Sequence, residues 1–184
     1  MLEGRIVTLR PFRATDLPIM REWFRDPSTA RTWGRAPLVA DDAFEADLAG
    51  KFSRFDASGY FAIDDKQGQL IGRAEYEHLD PVDRTVEIMI MLGSPASRGK
   101  GAGTDALVTL LTHLFRDRQA KRVWLTVLAW NLAAIRTYEK VGFVHEGRLV
   151  GDCWVDGQLH DQLVMGILRP EFEARWPASR PGGE

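Results

Sequence analysis

Residues 85–115, TVEIMIMLGSPASRGKGAGTDALVTLLTHLF, decide how this chain is read. Thr85 to Leu92 is a β-type run that is apolar on both alternating faces after Glu87, which predicts a central strand covered on both sides. The connection Gly93-Ser94-Pro95-Ala96-Ser97 leads into a turn rich in glycine, Arg98-Gly99-Lys100-Gly101-Ala102-Gly103. Leu107, Leu110, Leu111, Leu114 and Phe115 then recur at helical spacing. The order is strand, glycine turn, helix. Small residues in such a turn let a ligand approach the main chain, and the free N–H groups opening a helix form a cradle for an anion, a pyrophosphate among them. The glycines alone also fit a flexible loop. The spacing lacks the Gly-x-Gly-x-x-Gly pattern of a dinucleotide fold and the Gly-x-x-x-x-Gly-Lys-Ser/Thr pattern of a phosphate-binding loop.

On the C-terminal side, Arg122 to Val127 reads as a strand. Asn131 caps a helix reaching about Val141, and Gly142 supplies the positive φ that ends it. Two further strands, about His145 to Trp154 and Leu159 to Leu168, flank the hairpin turn Val155-Asp156-Gly157-Gln158. On the N-terminal side, Ile6 to Arg10 reads as a strand closed by Pro11. Thr15 or Asp16 caps a helix through about Arg25, stopped at Asp26-Pro27-Ser28. An irregular stretch with Thr32-Trp33-Gly34-Arg35 follows, then a helix from Asp41 or Asp42 carrying Phe44, Leu48 and Phe52. Tyr60 to Ile63 and Leu70 to Tyr76 form a hairpin around residues 64–69. The pattern predicts one α/β (α+β) domain over residues 1–184, frayed from Pro177, with a mixed, mostly antiparallel sheet of six to seven strands flanked by helices.

The 184 residues, 45% hydrophobic and 27% charged, suffice for one packed core without disulfides or a structural metal. A formal charge of −2 argues against non-specific nucleic-acid binding. Arg116, Arg118, Lys121 and Arg122 read as a solvated helix end. Cys153, the single cysteine, reads as an unreactive half-buried thiol, and no Cys/His spacing resembles a zinc site. With neither a signal core nor an apolar run long enough for a membrane span, a cytoplasmic location is expected. A homodimer is left open.

Arg98, Gly101 and Gly103 match the motif Arg/Gln-x-x-Gly-x-Gly/Ala. Leu125-Thr126-Val127 followed by Asn131, Ala134, Tyr138-Glu139-Lys140, Gly142-Phe143 and Glu146-Gly147 resembles a second conserved stretch of the same family. On these residues the chain resembles the GNAT superfamily of N-acetyltransferases, over about Ile6 to Phe172, with specific motifs from Glu87 to Met165. Asp156-Gly157, Asp161 and Met165 further resemble the RimJ/RimL branch, whose members acetylate amino termini of ribosomal proteins, and its bacterial relatives that acetylate polyamines or aminoglycosides.

The resemblance implies a sheet that splays beside a bulged fourth strand to form an acetyl-CoA cleft, with acetyl transferred to a primary amine by direct attack in a ternary complex. The pyrophosphate is expected on the N–H groups of Arg98, Gly99, Lys100, Gly101, Ala102 and Gly103, and pantetheine beside Ile90, Met91 and Leu92, with Asn131 and Ala134 also at the cofactor. Tyr138 is the implied acid for the departing thiolate, packing inward being its alternative. Glu87 is a candidate base, with Glu75 behind it; either could instead be a salt-bridge partner or a substrate ligand. Trp33 and Glu75 are expected to shape the amine site. The acceptor is read as a protein N-terminus or small amine, with a polyamine or aminoglycoside, or a non-catalytic acyl-CoA sensor, as alternatives.

Overall fold

A computed structural model of the chain describes residues 1–33, 57–93 and 95–177, with the side chains of Ala30, Thr32 and Trp33 outside the description. The helix expected after Asp41, with Phe44, Leu48 and Phe52, therefore lies outside the described residues, as do the Trp33 side chain and the tail beyond Pro177. Among the described residues eight strands form one sheet: β1 (Leu2–Glu3), β2 (Val7–Arg10), β3 (Gly59–Asp65), β4 (Leu70–Glu77), β5 (Thr85–Leu92), β6 (Arg122–Leu128), β7 (Val144–Val155) and β8 (Gln158–Leu168). Their order is β1-β2-β3-β4-β5-β6-β8-β7. The strand beyond the six or seven expected is β1, two residues paired as Leu2↔Leu9 and Glu3↔Thr8, too short to leave an alternation in the sequence.

One face of the sheet is covered by α3 (Ala102–Thr112, continued by a π-helical turn at His113–Asp117) and α4 (Leu132–Val141). Leu107, Leu110, Leu111 and Leu114 of this helix are fully buried against Val86, Ile88, Val123, Leu125 and Met165. Truncating any one of them to Ala would cost about 2–5 kcal/mol. The C-terminal α5 (Arg169–Arg175) adds Phe172, whose ring centroid is 5.2 Å from that of Phe115.

The opposite face is covered in part by α1 (Leu17–Arg25), whose Met20, Trp23 and Phe24 pack on Met91. The Asp26-Pro27-Ser28 stop is also a start. Asp26 accepts hydrogen bonds from the N–H groups of Ser28 and Thr29, and α2 (Pro27–Trp33) replaces part of the expected irregular stretch. Asp26 acts as an N-cap and proline tolerates the first helical position, so one dipeptide both closes α1 and opens α2.

β5 is central in order, but the described residues do not cover both of its faces along its length. Its even-numbered Val86 and Ile88 are buried, whereas Met89 on the other face is 40% exposed and Glu87 is half-buried. Among the described residues, α1 packs on this face at its Met91 end. The bulge expected in β5 is also absent: its pairing with β4 runs unbroken from Gly72↔Leu92 to Glu77↔Glu87. Register shifts occur instead between Ile63 and Asp64 and along β7.

Candidate active site

β5 and β6 form a parallel ladder at Thr85↔Arg122, Val86↔Val123 and Glu87↔Trp124. Beyond Glu87 the strands part. β5 stays paired with β4 as far as Leu92, and β6 with β8 as far as Leu128, so each keeps one edge facing the gap. A row of unpaired main-chain groups in a sheet interior is the arrangement that an amide-bearing chain fills by strand addition. Ile90, Met91 and Leu92 lie along this edge. The register with β4 turns the main-chain groups of Ile90 and Leu92 toward the gap, whereas those of Met91 face β4 and its side chain is buried against α1.

The glycine turn closes one end of the gap. Gly99 and Gly101 have φ of +74° and +86°, a region that other residues enter only with strain. Within α3 the first intrahelical bond runs from the Asp105 N–H to the Gly101 carbonyl, 3.0 Å. The N–H groups of residues 99–104 donate to no partner among the described residues, and α3 directs its positive dipole end at them. The donors and the absent side chains fit a pyrophosphate. The Arg98 guanidinium turns away from this cradle and donates to the Leu92 carbonyl and, at 2.9 Å, to Thr29 Oγ1, strapping the turn to the end of β5 and to α2. Gly93 is required by contact: a Cβ there would stand 1.8 Å from the indole of Trp23.

Asn131 caps α4, its Oδ1 accepting from the Ala134 N–H at 3.2 Å. This is the helix-capping role that the sequence offered beside a cofactor role. Ala134 packs partly buried against the core under the cap. Tyr138, one turn on, is 7% exposed, with its ring 5.8 Å from Phe143 in an edge-on arrangement. Burial pushes its phenol up to about 12, so Tyr138 is a neutral O–H donor across the physiological range.

Glu87 stands where the β5–β6 ladder ends, directly opposite Glu77 of β4. Cross-strand neighbours of this kind hold their Cβ atoms about 5 Å apart, and like charges there repel. Desolvation, first, and then the charges of Glu77 and Glu75 raise the Glu87 carboxyl above its usual range, with His78 opposing. Glu77 is fixed in place by a hydrogen bond from the Tyr60 hydroxyl. Glu75 is 3% exposed and paired with the equally buried Arg73 at 3.3 Å, and Arg73 lies 5.6 Å from the Phe24 ring centroid. Glu75 therefore sits within the sheet face as an ion-pair partner, while Glu87 remains partly open to the cleft.

Glu77 and Tyr60 escape a reading of the sequence alone. Strand register, which no local pattern announces, places Tyr60 opposite Glu75 and Glu77 opposite Glu87. Asp105 and Gly4, which join the N-terminal turn to α3, match no motif and are missed for that reason.

Comparison with known proteins gives the family and the fold. The family model described as an acetyltransferase (GNAT) domain matches residues 7–144. The spermidine N(1)-acetyltransferase of Vibrio cholerae is 28% identical over 90% of this chain and 95% of its own. The aminoglycoside N(6')-acetyltransferase type 1 of Klebsiella pneumoniae is 30% identical over 77% of this chain and 75% of its own. The putative ribosomal N-acetyltransferase YdaF of Bacillus subtilis aligns over only 58% of this chain. Among solved structures, the Vibrio cholerae spermidine N-acetyltransferase in complex with CoA and spermine superposes with a TM-score of 0.82 at 28% identity, covering 90% of this chain and 97% of that one. The chain belongs to the GNAT acetyltransferase family. It is an acetyl-CoA-dependent N-acetyltransferase with the mixed, mostly antiparallel sheet of that fold. No helix among the described residues is long and apolar enough to cross a membrane.

Proposed function

We propose that this enzyme acetylates a polyamine, an acceptor carrying more than one positive charge. The observation that carries the reading is the facing pair Glu77 and Glu87 at the mouth of the parted strands, with Glu75 on the same sheet face. Two like-charged residues in one cross-strand pair cost stability unless a cation relieves them. A polycation supplies that relief, while a monoamine or peptide N-terminus answers only one carboxylate. Relatives that align along nearly the whole chain are named spermidine N(1)-acetyltransferases, which supports the polyamine over the protein N-terminus that the motifs suggest.

The coenzyme supplies an activated acetyl thioester. The chain's residues do the rest. The N–H groups of residues 99–104 hold its anionic end, and the open edges of β5 and β6 align its amide-bearing arm. Glu87, with its carboxyl raised by burial, takes the proton from the acceptor's ammonium, leaving a neutral amine nitrogen. As that nitrogen bonds to the acetyl carbon, the carbon–sulfur bond breaks, one of its two N–H protons ends on sulfur and the other stays in the amide. Tyr138, at about 12, is a weaker acid than a free thiol at about 8.5. Its O–H therefore acts by hydrogen-bonding the departing sulfur rather than by surrendering a proton to it outright.

Initial rates of CoA release over spermidine, spermine, a monoamine of equal length, an aminoglycoside and a peptide with a free N-terminus test the proposal. The expected result is that kcat/KM is highest for the polyamines and that Glu77→Gln raises KM for them more than for the monoamine. A peptide or aminoglycoside preferred tenfold or more would overturn it.

A further inference from the structure

The first turn of α3, where a coenzyme anion belongs, contains a carboxylate. Asp105 would oppose such an anion if its charge faced the cradle. It is turned instead onto the N-terminal segment, accepting hydrogen bonds from three successive main-chain N–H groups: Arg5 at 3.1 Å, Ile6 at 2.8 Å and Val7 at 3.0 Å. Charge-assisted bonds of this type are short and strong, and three of them fix the turn joining β1 to β2. The same turn is closed by the Gly4 N–H donating to the Val7 carbonyl at 2.9 Å. It lies so close to α3 that a Cβ on Gly4 would stand 2.5 Å from Asp105 Oδ2 and 2.7 Å from Thr109 Oγ1. The turn also borders the cradle itself. Ile6 Cδ1 is 3.6 Å from the place a Cβ on Gly101 would occupy.

The distribution of cations points the same way. Arg98, the motif arginine, spends its guanidinium on Leu92 and Thr29. Arg5 and Lys100 are exposed, and neither forms an ion pair among the described residues. Arg5 thus belongs to a fastened turn whose next residue, Ile6, borders Gly101, and its exposed guanidinium is planar and multi-donor, suited to phosphate oxygens.

We infer that the Gly4–Val7 turn is part of the coenzyme site, with Asp105 as the residue that positions it and the Arg5 guanidinium as a partner for a coenzyme phosphate. The inference rests on the coenzyme lying on the glycine turn. Calorimetric binding of CoA and of 3′-dephospho-CoA to the unaltered enzyme, Arg5→Gln and Arg5→Lys tests it, with thermal unfolding as a fold control. Arg5→Gln is expected to weaken CoA binding roughly five- to tenfold, the scale of one exposed charge-assisted contact, and Arg5→Lys to recover part of the loss. A loss confined to CoA identifies the 3′-phosphate as the partner, and an equal loss for both ligands identifies the pyrophosphate. Equal CoA affinity in the unaltered and Arg5→Gln enzymes overturns the inference.

Two further variants in the same series separate the causes. If Gly101→Asp still binds CoA normally, the glycine-turn placement fails and the inference with it; if it abolishes binding while Arg5→Gln changes nothing, the glycine-turn placement stands and the inference is overturned. Asp105→Asn is expected to weaken CoA binding with no added loss from Arg5→Gln, because a freed turn no longer presents Arg5. Additive losses in a folded double variant would refute the positioning role.

Discussion

Gly103→Ala separates what the fold requires from what the coenzyme requires. Gly103 lies in the first turn of α3 at an ordinary helical φ, unlike Gly99 and Gly101. A Cβ built there meets Leu92 Cδ1 at 3.7 Å and Thr137 Cγ2 at 3.9 Å, which is normal van der Waals contact. The free protein has no reason to keep glycine at this position. Alanine in a helix is better than glycine by about 0.5–1 kcal/mol, and the first turn warrants the lower figure. For a chain of this size about 0.5 kcal/mol corresponds to roughly 1–2 °C in Tm. If the pyrophosphate lies on the N–H groups of residues 99–104 as proposed, the added methyl, which faces Leu92 and Thr137 at the head of the gap, narrows the approach to the main chain there. Acetyl-CoA affinity is expected to fall at least tenfold, about 1.4 kcal/mol. Differential scanning fluorimetry with and without acetyl-CoA reads both effects at once: the free variant should melt slightly higher, and the ligand-induced rise should shrink. A variant with unchanged affinity, or one destabilised without ligand, would refute this account of the glycine.

Other substitutions probe the rest of the site and its support. Tyr138→Phe keeps the packing on Phe143 and removes the O–H, so kcat should fall roughly ten- to a thousandfold with acetyl-CoA affinity nearly unchanged, as measured by pre-steady-state rates and calorimetry. Glu87 must be ionised to take a proton, so activity should rise with pH through its elevated pKa. Glu77→Gln removes a repelling charge and should move that acidic limb to lower pH, whereas Glu87→Gln should abolish the limb with most of kcat. Gly93→Ala drives a methyl into Trp23 and should cost about 1–3 kcal/mol or more in a urea titration, an effect on folding rather than on chemistry.

The second half of the fold is legible in the sequence because periodicity and punctuation agree there. The hairpin turn at Asp156 and Gly157 has φ of +51° and +77°, as the Asp-Gly pair announces, and Gly142 ends α4 at φ +122°. The first half is harder to read. α2 hides behind a proline that looks like a stop, and β1 is too short for any pattern. The site divides in the same way. The glycine turn leaves a mark in composition, since Gly99 and Gly101 adopt positive φ and a close approach to the main chain favours small residues. Side-chain groupings that depend on strand register do not. Glu77 meets Glu87, and Asp105 meets Arg5 across 100 residues of chain, with no local signature for either. Burial decides the remaining ambiguity: Glu75 and Glu87 look equivalent in sequence, yet one is enclosed with Arg73 and the other lies half-open at the cleft.

Whether this enzyme acetylates a polyamine is decided by product analysis after incubation with acetyl-CoA and spermidine. The expected product is spermidine heavier by one acetyl group, in stoichiometric step with free CoA, and neither product should form in the Tyr138→Phe, Glu87→Gln double variant on the same timescale. An enzyme that binds acetyl-CoA yet yields no acetylated product from spermidine, spermine, an aminoglycoside or a peptide N-terminus would contradict both the acceptor and the chemistry assigned to the site.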